Sequence, residues 1–472
     1  MDQTPVPIAG AGVTTDRSVE VTNPYTGDTV AQVPLCGADE VDRACRHAAD
    51  VLRRGDLPQH ERAAILDRAA RLVEDRAEDL ARGIAVEAGK PIRTARTEVA
   101  RAIDTFRFAA TECRRLGGEV VPMDASTSGA GKLGLALRLP AGVVAAISPF
   151  NFALNLVAHK LAPAIAAGCP VVLKPAPQTP LTALALVQLL VDAGLPDGWI
   201  SVVTDSRAEA GGPLVEHDVP AVVTFTGSVP VGWGIAAAAP RKKVLLELGS
   251  NAPLIVQPDA DVADVARRCV PAAFGFSGQS CISVQRLLVH RDVHDQMVEA
   301  VAAAADALAV GDPLDEATDV GPLISPPECG RVTSWVDAAT SAGARVVAGG
   351  TVEDGLLRPT VVDEVDTSVD LWRREVFGPV LAVRAYDDVE DAFRIANDSD
   401  YGLHAGVFTN DLSVALRAVR ALDFGGVLVN EVPTFRADQQ PYGGVRDAGN
   451  TREGPAYAIE EMTTLRFISL QA

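Results

Sequence analysis

The stretch Ala141-Gly142-Val143-Val144-Ala145-Ala146-Ile147 is the apolar run from which the fold of this chain is best argued. It has the length of one buried strand, and four apolar runs of similar character follow it, at 170–173, 200–203, 221–225 and 243–246. Segments with helical spacing separate these runs, at 155–167, 180–193 and 230–239. Alternation of buried strands with helices predicts a parallel, doubly wound α/β sheet of the Rossmann type.

A second alternation follows the first. Strand-like segments at 253–256 and 284–290 alternate with helix-like segments at 261–275 and 292–309. At 472 residues the chain is too long for one ordinary domain. We therefore predict two α/β domains.

The flanking segments have other patterns. Residues 39–116 are strongly helical, with Ala and Leu at helical spacing from His60 up to the stop signal Gly89-Lys90-Pro91. A Ser- and Gly-rich interruption spans 124–132, and residues 463–470 have the pattern of a strand. These patterns alone leave open where the terminal strand belongs.

Composition excludes several classes of partner. The formal net charge is −20, which argues against binding to nucleic acid or to an anionic membrane surface, since both require clustered Lys and Arg. The seven cysteines are scattered without a CxxC pair, which indicates a reduced, cytoplasmic protein. No apolar run approaches the roughly 18 residues that span a bilayer, and we see no signal peptide. The dispersed histidines predict no metal site.

Two residues stand out as candidates for covalent chemistry on a carbonyl group. Cys281 lies 34 residues after Glu247 (281 − 247 = 34), and each lies in a Gly-bearing block, Gly278-Gln279-Ser280-Cys281 and Glu247-Leu248-Gly249. A lone cysteine is more often a small buried hydrophobe, but as a thiolate it is a nucleophile. Glu247 follows a buried strand, where desolvation raises the pKa of a carboxylate and suits it to general-base work.

Three further positions predict an oxyanion donor and a nucleotide site. Asn151 follows the first apolar strand, and its amide can donate to an oxyanion, although on its own it is more often a helix N-cap. The segment Phe225-Thr226-Gly227-Ser228-Val229-Pro230-Val231-Gly232 predicts a strand, a Gly turn and a helix N-terminus, which suits pyrophosphate. Lys174 follows another strand and could reach a ribose or a phosphate. A cysteine nucleophile beside a nucleotide site suggests hydride transfer to nicotinamide.

With these motifs in place, the chain resembles the aldehyde dehydrogenase superfamily over essentially its whole length. The wording of several motifs is similar to the branch of lactaldehyde, non-phosphorylating glyceraldehyde-3-phosphate, succinate-semialdehyde and phosphonoacetaldehyde dehydrogenases. The ordered segments that carry the resemblance are Pro149-Phe150-Asn151-Phe152, Lys174-Pro175, Phe225-Thr226-Gly227-Ser228, Glu247-Leu248-Gly249, Gly278-Gln279-Ser280-Cys281, Glu375-Val376-Phe377-Gly378-Pro379 and Pro441-Tyr442-Gly443-Gly444.

The resemblance implies roles for the catalytic residues. Cys281 would attack the aldehyde, and the Asn151 amide with the Cys281 backbone N–H would hold the oxyanion. Hydride would leave to NAD or NADP, and Glu247 would activate water to hydrolyse the thioester. Lys174 would bind the adenosine ribose, and we group it with both the catalytic and the cofactor residues.

The resemblance also implies a set of cofactor contacts. These are Ile147, Ser148, Pro149, Phe150, Lys174, Pro177, Gly227, Ser228, Leu248, Glu375 and Phe377. One position departs from the pattern: where NAD-preferring members often carry a Glu for the ribose hydroxyls, this chain has Pro177. The lost carboxylate removes a repulsion against a 2′-phosphate, which somewhat favours NADP.

For the substrate we predict a short polar or anionic aldehyde. Arg107, His159 and Arg436 are expected to face the substrate tunnel, because Arg pairs with carboxylate or phosphate. Each of them alone could equally be a surface ion pair or a satisfied core histidine. The full predicted substrate set is Arg107, Phe152, His159, Ser280, Ile282, Arg436 and Tyr442.

The resemblance further implies three domains and a homodimer or homotetramer. We predict a cofactor domain from 1–119 and 141–246, a catalytic domain from 247–450, and an oligomerisation element from 120–140 and 451–472. A CoA-acylating relative and a catalytically silent homologue are the alternatives. Intact Glu247 argues against the first, and the joint presence of Cys281, Glu247 and Asn151 argues against the second.

Overall fold

The computed structural model describes residues 2–471, which form a mixed α/β structure around three main sheets. The strands, in chain order, are β1 Val6–Ile8, β2 Ala11–Val13, β3 Ser18–Thr22, β4 Thr29–Pro34, β5 Gly118–Val121, β6 Lys132–Pro140, β7 Val143–Ile147, β8 Val171–Lys174, β9 Ile200–Val202, β10 Pro220–Gly227, β11 Lys243–Leu248, β12 Ala252–Val256, β13 Val284–His290, β14 Arg345–Ala348, β15 Val352–Glu353, β16 Leu356–Leu357, β17 Thr360–Asp363, β18 Val380–Tyr386, β19 His404–Phe408, β20 Gly426–Val429 and β21 Thr463–Gln471.

The helices separate and flank these strands. They are α1 Ala38–Arg54, α2 Gln59–Asp75, α3 Ala77–Ala88, α4 Ile92–Arg115, α5 Asn155–Ala167, α6 Pro180–Asp192, α7 Gly211–Glu216, α8 Val229–Ala238, α9 Val262–Phe274, α10 Arg291–Asp306, α11 Pro326–Ser341, α12 Asp370–Arg373, α13 Val389–Asn397, α14 Leu412–Ala421 and α15 Pro455–Glu461. None of these helices is both long and apolar enough to cross a membrane.

The first large sheet has five parallel strands in the order β11-β10-β7-β8-β9. Every residue of β7 is buried, which explains why its sequence is apolar without alternation. Each such Val or Ile contributes about 1.5–3 kcal/mol relative to an exposed position. The strand order reverses between β7 and β10, where doubly wound sheets bind their ligands.

The second large sheet has seven strands in the order β14-β17-β18-β13-β12-β19-β20. Only β14 runs antiparallel to its neighbour. Both sheets are parallel in their centres, and the doubly wound α/β class predicted from the sequence is confirmed.

The third sheet has three antiparallel strands in the order β21-β6-β5. The predicted C-terminal strand is β21, and it pairs with β6 from Thr463↔Pro140 to Gln471↔Lys132. Helix α15 lies within the predicted segment 451–472, but Ile459 packs in the core of the five-stranded sheet. The predicted domain boundaries themselves stay a prediction.

Candidate active site

The candidate residues meet near the carboxyl ends of neighbouring strands. Asn151 follows the end of β7. Glu247 is the second-last residue of β11, which lies two strands away from β7 in the same parallel sheet. Cys281 precedes β13 of the seven-stranded sheet. The site therefore draws one residue from each of three segments, two in the five-stranded sheet and one before a strand of the seven-stranded sheet.

The segment before Cys281 is a tight turn with an unusual backbone. Phe276 and Ser277 have φ of 50° and 56°, and Gly278 has φ of 69°. A Cβ on Gly278 would lie 2.1 Å from the carbonyl oxygen of Gly378, so only glycine fits there. The Ser277 hydroxyl donates to the Gly321 carbonyl at 2.7 Å and anchors the turn.

The thiol of Cys281 has one close polar neighbour. Its sulfur lies 2.9 Å from the phenolic oxygen of Tyr442. Burial raises the pKa of the Cys281 thiol to about 12, and the hydrogen bond from Tyr442 opposes that rise. Ile282, Tyr442 and the partly buried Cys281 share a small apolar cluster. Of the predicted substrate residues, Ile282 and Tyr442 therefore lie at the thiol, as does the half-buried Ser280 directly before it.

Asn151 is held by one hydrogen bond at its side-chain amide and another at its backbone carbonyl. Its side-chain amide donates to the Gln279 carbonyl at 3.0 Å, two residues before the thiol. Its own carbonyl accepts a hydrogen bond from the ammonium of Lys90 at 2.7 Å, and Lys90 is itself paired with the buried Glu98. Helix α5 begins at Asn155 with Leu154 at the N-cap, so Asn151 does not cap it. Its second amide hydrogen is available to an oxyanion.

Glu247 is a buried carboxylate that no described side chain or backbone group holds by a hydrogen bond. Neither of its oxygens has a hydrogen-bond partner among residues 2–471. A Cβ on Gly443 would lie 2.8 Å from one of these oxygens, so this glycine leaves room for the carboxylate. Burial, followed by the charge of Glu453, raises the pKa of Glu247 well above its ordinary value. A buried carboxylate of raised pKa is suited to take a proton from water.

A charged cluster acts on Glu247, and of its members the sequence predicted Arg436 but not Lys160 or Glu453. Arg436 donates to Glu453 at 2.9 Å, and the Lys160 ammonium lies 3.8 Å from the other Glu453 oxygen. Lys160 also donates to Thr226 at 2.7 Å. Burial favours the protonated form of Glu453, but the two cations outweigh it and hold the pKa of Glu453 below its ordinary value. Glu453 therefore stays charged beside Glu247.

His159 lies in the same wall of the site as this charged cluster. Its Nε2 is occupied by polar contacts, whereas its Nδ1 has no hydrogen-bond partner among the described residues. Its Nε2 lies 2.9 Å from Asp438 and 3.2 Å from Arg436. Burial lowers the pKa of His159, and the charge of Arg436 adds to this effect. Asp438 also accepts two hydrogen bonds from Arg101, at 2.9 and 3.2 Å. Phe152 contacts this group through its ring, 5.8 Å from the Arg101 guanidinium carbon.

Arg107 is not brought to this wall, contrary to the expectation from sequence. It pairs with Glu74 at 2.7 Å and with Asp104 on the protein surface, and its side chain is 51% exposed. The arginine of α4 that reaches the site is Arg101, six residues earlier. The two side chains point to different faces because six residues of helix rotate by about 600°.

Two of the predicted cofactor residues, Ile147 and Lys174, line a cavity beside the five-stranded sheet. A cavity of about 310 Å³ opens next to Lys174, whose ammonium lies 2.8 Å from Asp205. Glycines of α7 and α8 flank this cavity, and its side-chain walls include Ile147, Lys174, Arg207, Phe225, Val231 and Ile235. Arg207, in an exposed loop with no sequence motif, was not among the predicted cofactor residues. Pro177 follows β8 and is half buried.

Other predicted cofactor residues lie outside the lining of this cavity. Ser228 is at the N-cap position of α8, and the hydroxyl of Ser148 is buried with no partner among the described residues. Glu375 accepts a hydrogen bond from the Ser250 N–H at 3.0 Å, and burial raises the pKa of Glu375 to about 7. Phe150 and Phe377 pack edge to face, with ring centroids 5.9 Å apart.

Three glycines allow close packing in this region. A Cβ on Gly249 would lie 2.3 Å from the Glu375 carboxylate, and one on Gly232 would lie 2.3 Å from Leu248. A Cβ on Gly227 would lie 2.5 Å from Phe225. The N-terminus of α8 and the unpartnered Ser148 hydroxyl are groups that suit the phosphates of a dinucleotide. Among residues 2–471 no group of His, Cys, Asp or Glu side chains is placed to hold a metal ion.

The fold and cleft define the class as an α/β enzyme with a dinucleotide-binding sheet, and comparison with known proteins specifies the family. Residues 13–468 match the aldehyde dehydrogenase family, to which this chain belongs. It is 43% identical to 3-sulfolactaldehyde dehydrogenase of Priestia aryabhattai over 463 residues, covering 98% of this chain and 97% of that protein.

Two solved structures are also similar. Aldehyde dehydrogenase 21 from Physcomitrella patens, in complex with the reaction product succinate, is 39% identical with a TM-score of 0.96, covering 99% of this chain and 98% of that one. NADP-dependent glyceraldehyde-3-phosphate dehydrogenase from Bacillus halodurans C-125, complexed with NADP, is 35% identical with a TM-score of 0.97 over 100% of both chains. The resemblance stated from the motifs is confirmed.

Membership of this family establishes the activity at the level of the class. The protein is an NAD(P)-dependent oxidoreductase that oxidises an aldehyde to a carboxylic acid. The prediction of this activity from the sequence is confirmed.

Proposed function

We propose that Cys281 attacks the aldehyde carbonyl and that Asn151 holds the resulting oxyanion. After the thiol loses its proton, the sulfur electron pair forms the C–S bond and the carbonyl π pair moves to oxygen. The free Asn151 amide hydrogen and the Cys281 backbone N–H then donate to that oxygen. Bound NAD(P) supplies the hydride acceptor. The 3.0 Å anchor between the Asn151 amide and the Gln279 carbonyl supports this, because it fixes the donor near the thiol.

Glu247 is the proposed base for hydrolysis of the acyl-enzyme. Water attacks the thioester carbonyl, its proton passes to the Glu247 carboxylate, and the Cys281 thiolate leaves. The support is the unpartnered, buried carboxylate with its raised pKa. A base at this position favours water as the acyl acceptor over the thiol of CoA.

The proposed substrate is a short aldehyde that carries an anionic group. The observation that carries this is Arg436, which is buried beside Tyr442 and whose Nε has no hydrogen-bond partner among the described residues. A buried guanidinium with an unused donor favours a carboxylate, sulfonate or phosphate oxygen on the ligand. Arg101 adds a second cation, 22% exposed, on the same wall. The similar 3-sulfolactaldehyde dehydrogenase is named for an anionic aldehyde, and the similar aldehyde dehydrogenase 21 holds the anion succinate.

Inhibition by succinate tests anion binding separately from the chemistry at the thiol. With propanal as substrate, we expect Arg101→Gln and Arg436→Gln each to raise the inhibition constant of succinate about tenfold or more, the loss typical of a charge-assisted hydrogen bond. Arg107→Gln, on the same helix as Arg101 but on the surface, is the matched control and should leave it unchanged. Equal inhibition constants in all four proteins would reject the anionic substrate.

The proposed cofactor preference is NADP. Pro177 provides no carboxylate against a 2′-phosphate, and the exposed Arg207 in the cavity wall supplies a cation that can pair with it. We expect Arg207→Gln to lower kcat/KM for NADP about tenfold and to leave that for NAD nearly unchanged. A wild-type kcat/KM for NAD more than tenfold above that for NADP would reject the preference.

The proposed assembly is a homo-oligomer built on the three-stranded sheet. Apolar side chains of that sheet are exposed, namely Val120, Leu133, Leu137, Leu465, Phe467 and Leu470. Strands β20 and β21 each lie at an edge of their sheet, with one side paired and the other open. Open strand edges can pair with another chain. Helix α8 carries no charged residue, yet Gly232 is its one buried residue.

Light scattering on the purified protein tests the assembly. We expect wild type to have at least twice the protomer mass and Phe467→Glu to dissociate towards the monomer. Leu314→Glu, an exposed apolar residue outside this sheet, is the control and should not dissociate. A monomeric wild type would reject the proposal.

A further inference from the structure

We propose that the phenolic hydroxyl of Tyr442 is a catalytic hydrogen-bond donor that stabilises the thiolate of Cys281. This gives Tyr442 a role in forming the nucleophile in addition to lining the substrate tunnel. The inference rests on the proposed role of Cys281 as nucleophile.

The hydrogen bond itself fixes which group donates once the thiol ionises. The Tyr442 side chain is 2% exposed, and its oxygen has the Cys281 sulfur, at 2.9 Å, as its one hydrogen-bond partner within residues 2–471. A thiolate has no proton to give, so in the ionised state the phenol must donate and the sulfur must accept. Hydrogen bonds to a charged acceptor are stronger than neutral ones, so this contact favours the thiolate over the thiol.

Few of the groups around Cys281 can stabilise its thiolate. When ionised, Glu375, before β18, and Glu247, in β11, disfavour the thiolate, whereas Arg436 favours it. His404, in β19, packs edge to face on Tyr442 with centroids 5.1 Å apart. Burial lowers the pKa of His404 to about 4, so this imidazole is neutral, and its Nδ1–H donates to the Pro433 carbonyl at 2.8 Å. No imidazolium therefore activates Cys281 within the described residues, and Tyr442 is the direct donor.

Arg436 strengthens the phenol as a donor. Its guanidinium carbon lies 3.8 Å from the centre of the Tyr442 ring. A cation over the ring face draws electron density from it and makes the hydroxyl proton more positive. Glu453 fixes Arg436 in turn, at 2.9 Å. Arg436 thus acts on the thiol partly through Tyr442.

The backbone holds the phenol in place. The Tyr442 N–H donates to the Glu453 carbonyl at 3.1 Å, and the two residues form an antiparallel bridge. This bridge ties Tyr442 to the segment that carries Glu453. The phenol therefore has little freedom to move. During attack the phenol keeps its proton: the sulfur electron pair leaves for the carbonyl carbon, and the hydrogen bond weakens as the sulfur loses its charge.

The test is the rate of Cys281 alkylation by iodoacetamide between pH 7 and pH 9, quantified by peptide mass spectrometry. We expect Tyr442→Phe to slow alkylation by up to about tenfold, because a rise of one unit in the pKa of the thiol lowers the thiolate fraction tenfold at every pH below that pKa. The matched control is Tyr386→Phe, which also removes a buried phenol hydroxyl, one bonded to the Val256 carbonyl at 2.8 Å. That variant should be alkylated at the wild-type rate.

An unchanged or faster alkylation rate in Tyr442→Phe would overturn the proposal. Replacing all five tyrosines by 3-fluorotyrosine keeps the shape and makes the phenol a stronger donor, which separates hydrogen-bond strength from packing and serves also if Tyr442→Phe does not fold. Alkylation should then be faster than in the wild type, and an unchanged rate would equally overturn the proposal. Full dehydrogenase activity in Cys281→Ala would instead reject Cys281 as nucleophile, so the two failures are distinguishable.

Discussion

Glu247 and Glu453 are two carboxylates in one buried region with opposite pKa shifts. Burial raises the pKa of Glu247, whereas Arg436 and Lys160 outweigh the burial of Glu453 and lower its pKa. Because the proposed base Glu247 is protonated at low pH, we expect the rate of acyl-enzyme hydrolysis to rise as pH passes upward through the pKa of Glu247. The acid limb of this rate therefore reports on that carboxyl group.

Glu453→Gln is expected to move this acid limb to lower pH. The substitution removes a negative neighbour of Glu247 and leaves two cations, and both changes lower the pKa of Glu247. The measurement is the hydrolysis rate constant of the acyl-enzyme by rapid quench between pH 5 and pH 9. An acid limb that stayed in place or moved up would contradict the electrostatic coupling of the two carboxylates.

Glu247→Gln should separate the two halves of the reaction. An amide cannot take the proton from water, so we expect hydrolysis to fall by about 10²–10⁴-fold while one equivalent of NAD(P)H still forms rapidly. A stopped-flow trace at 340 nm would show a burst without steady turnover. Loss of the burst as well would mean that Glu247 is needed before hydride transfer.

The residues of the candidate site were predicted from sequence to unequal degrees. Cys281 and Asn151 lie in contiguous motifs, so local sequence was enough to single them out. Arg101, Asp438 and Glu453 come together only through tertiary contacts, and no local motif marks them. Counting helical faces on α4 would have helped, because Arg101 lies one turn before the buried Thr105.

At the level of elements, the turn that presents Cys281 depends on one glycine. We expect Gly278→Ala to lower kcat/KM more than about tenfold and to reduce thermal stability, because a Cβ would force the turn away from Gly378 and displace the thiol. Gly275→Ala is the control: it lies in the same segment, with no heavy atom within 4 Å of the added Cβ. Steady-state kinetics with differential scanning fluorimetry would decide, and equal effects of both substitutions would contradict the steric argument.

Elements were predicted best where burial is uniform. The apolar runs became β7 to β11 with ends shifted by at most a few residues, because a strand buried on both faces needs an unbroken apolar sequence. The helical stretch from His60 to Gly89 is instead two helices, α2 and α3, separated at Arg76 with φ of −109°. Ala and Leu spacing continues across this break, so periodicity alone could not locate it.

At the scale of the whole molecule, Glu87 links folding stability to pH. Its buried carboxylate accepts hydrogen bonds from the Leu181 and Thr182 N–H groups at 2.9 and 2.8 Å, at the N-terminus of α6. Burial raises the pKa of Glu87 to about 7 from an ordinary 4.5. Since the folded state holds this proton more tightly, stability is fully present below pH 4.5 and is lost as pH rises through about 7, by up to about 3 kcal/mol.

Glu87→Gln removes this titration, so the stability of the variant should change less between pH 5 and pH 8 than that of wild type. The free energy of unfolding in urea at four pH values measures it, and the difference between wild type and variant should shrink as pH rises. Glu78→Gln, at an exposed site on the same helix, should follow the wild-type curve. A difference between wild type and Glu87→Gln that is independent of pH would show that the carboxyl group is already ionised throughout, stabilised by the N-terminus of α6 despite its burial.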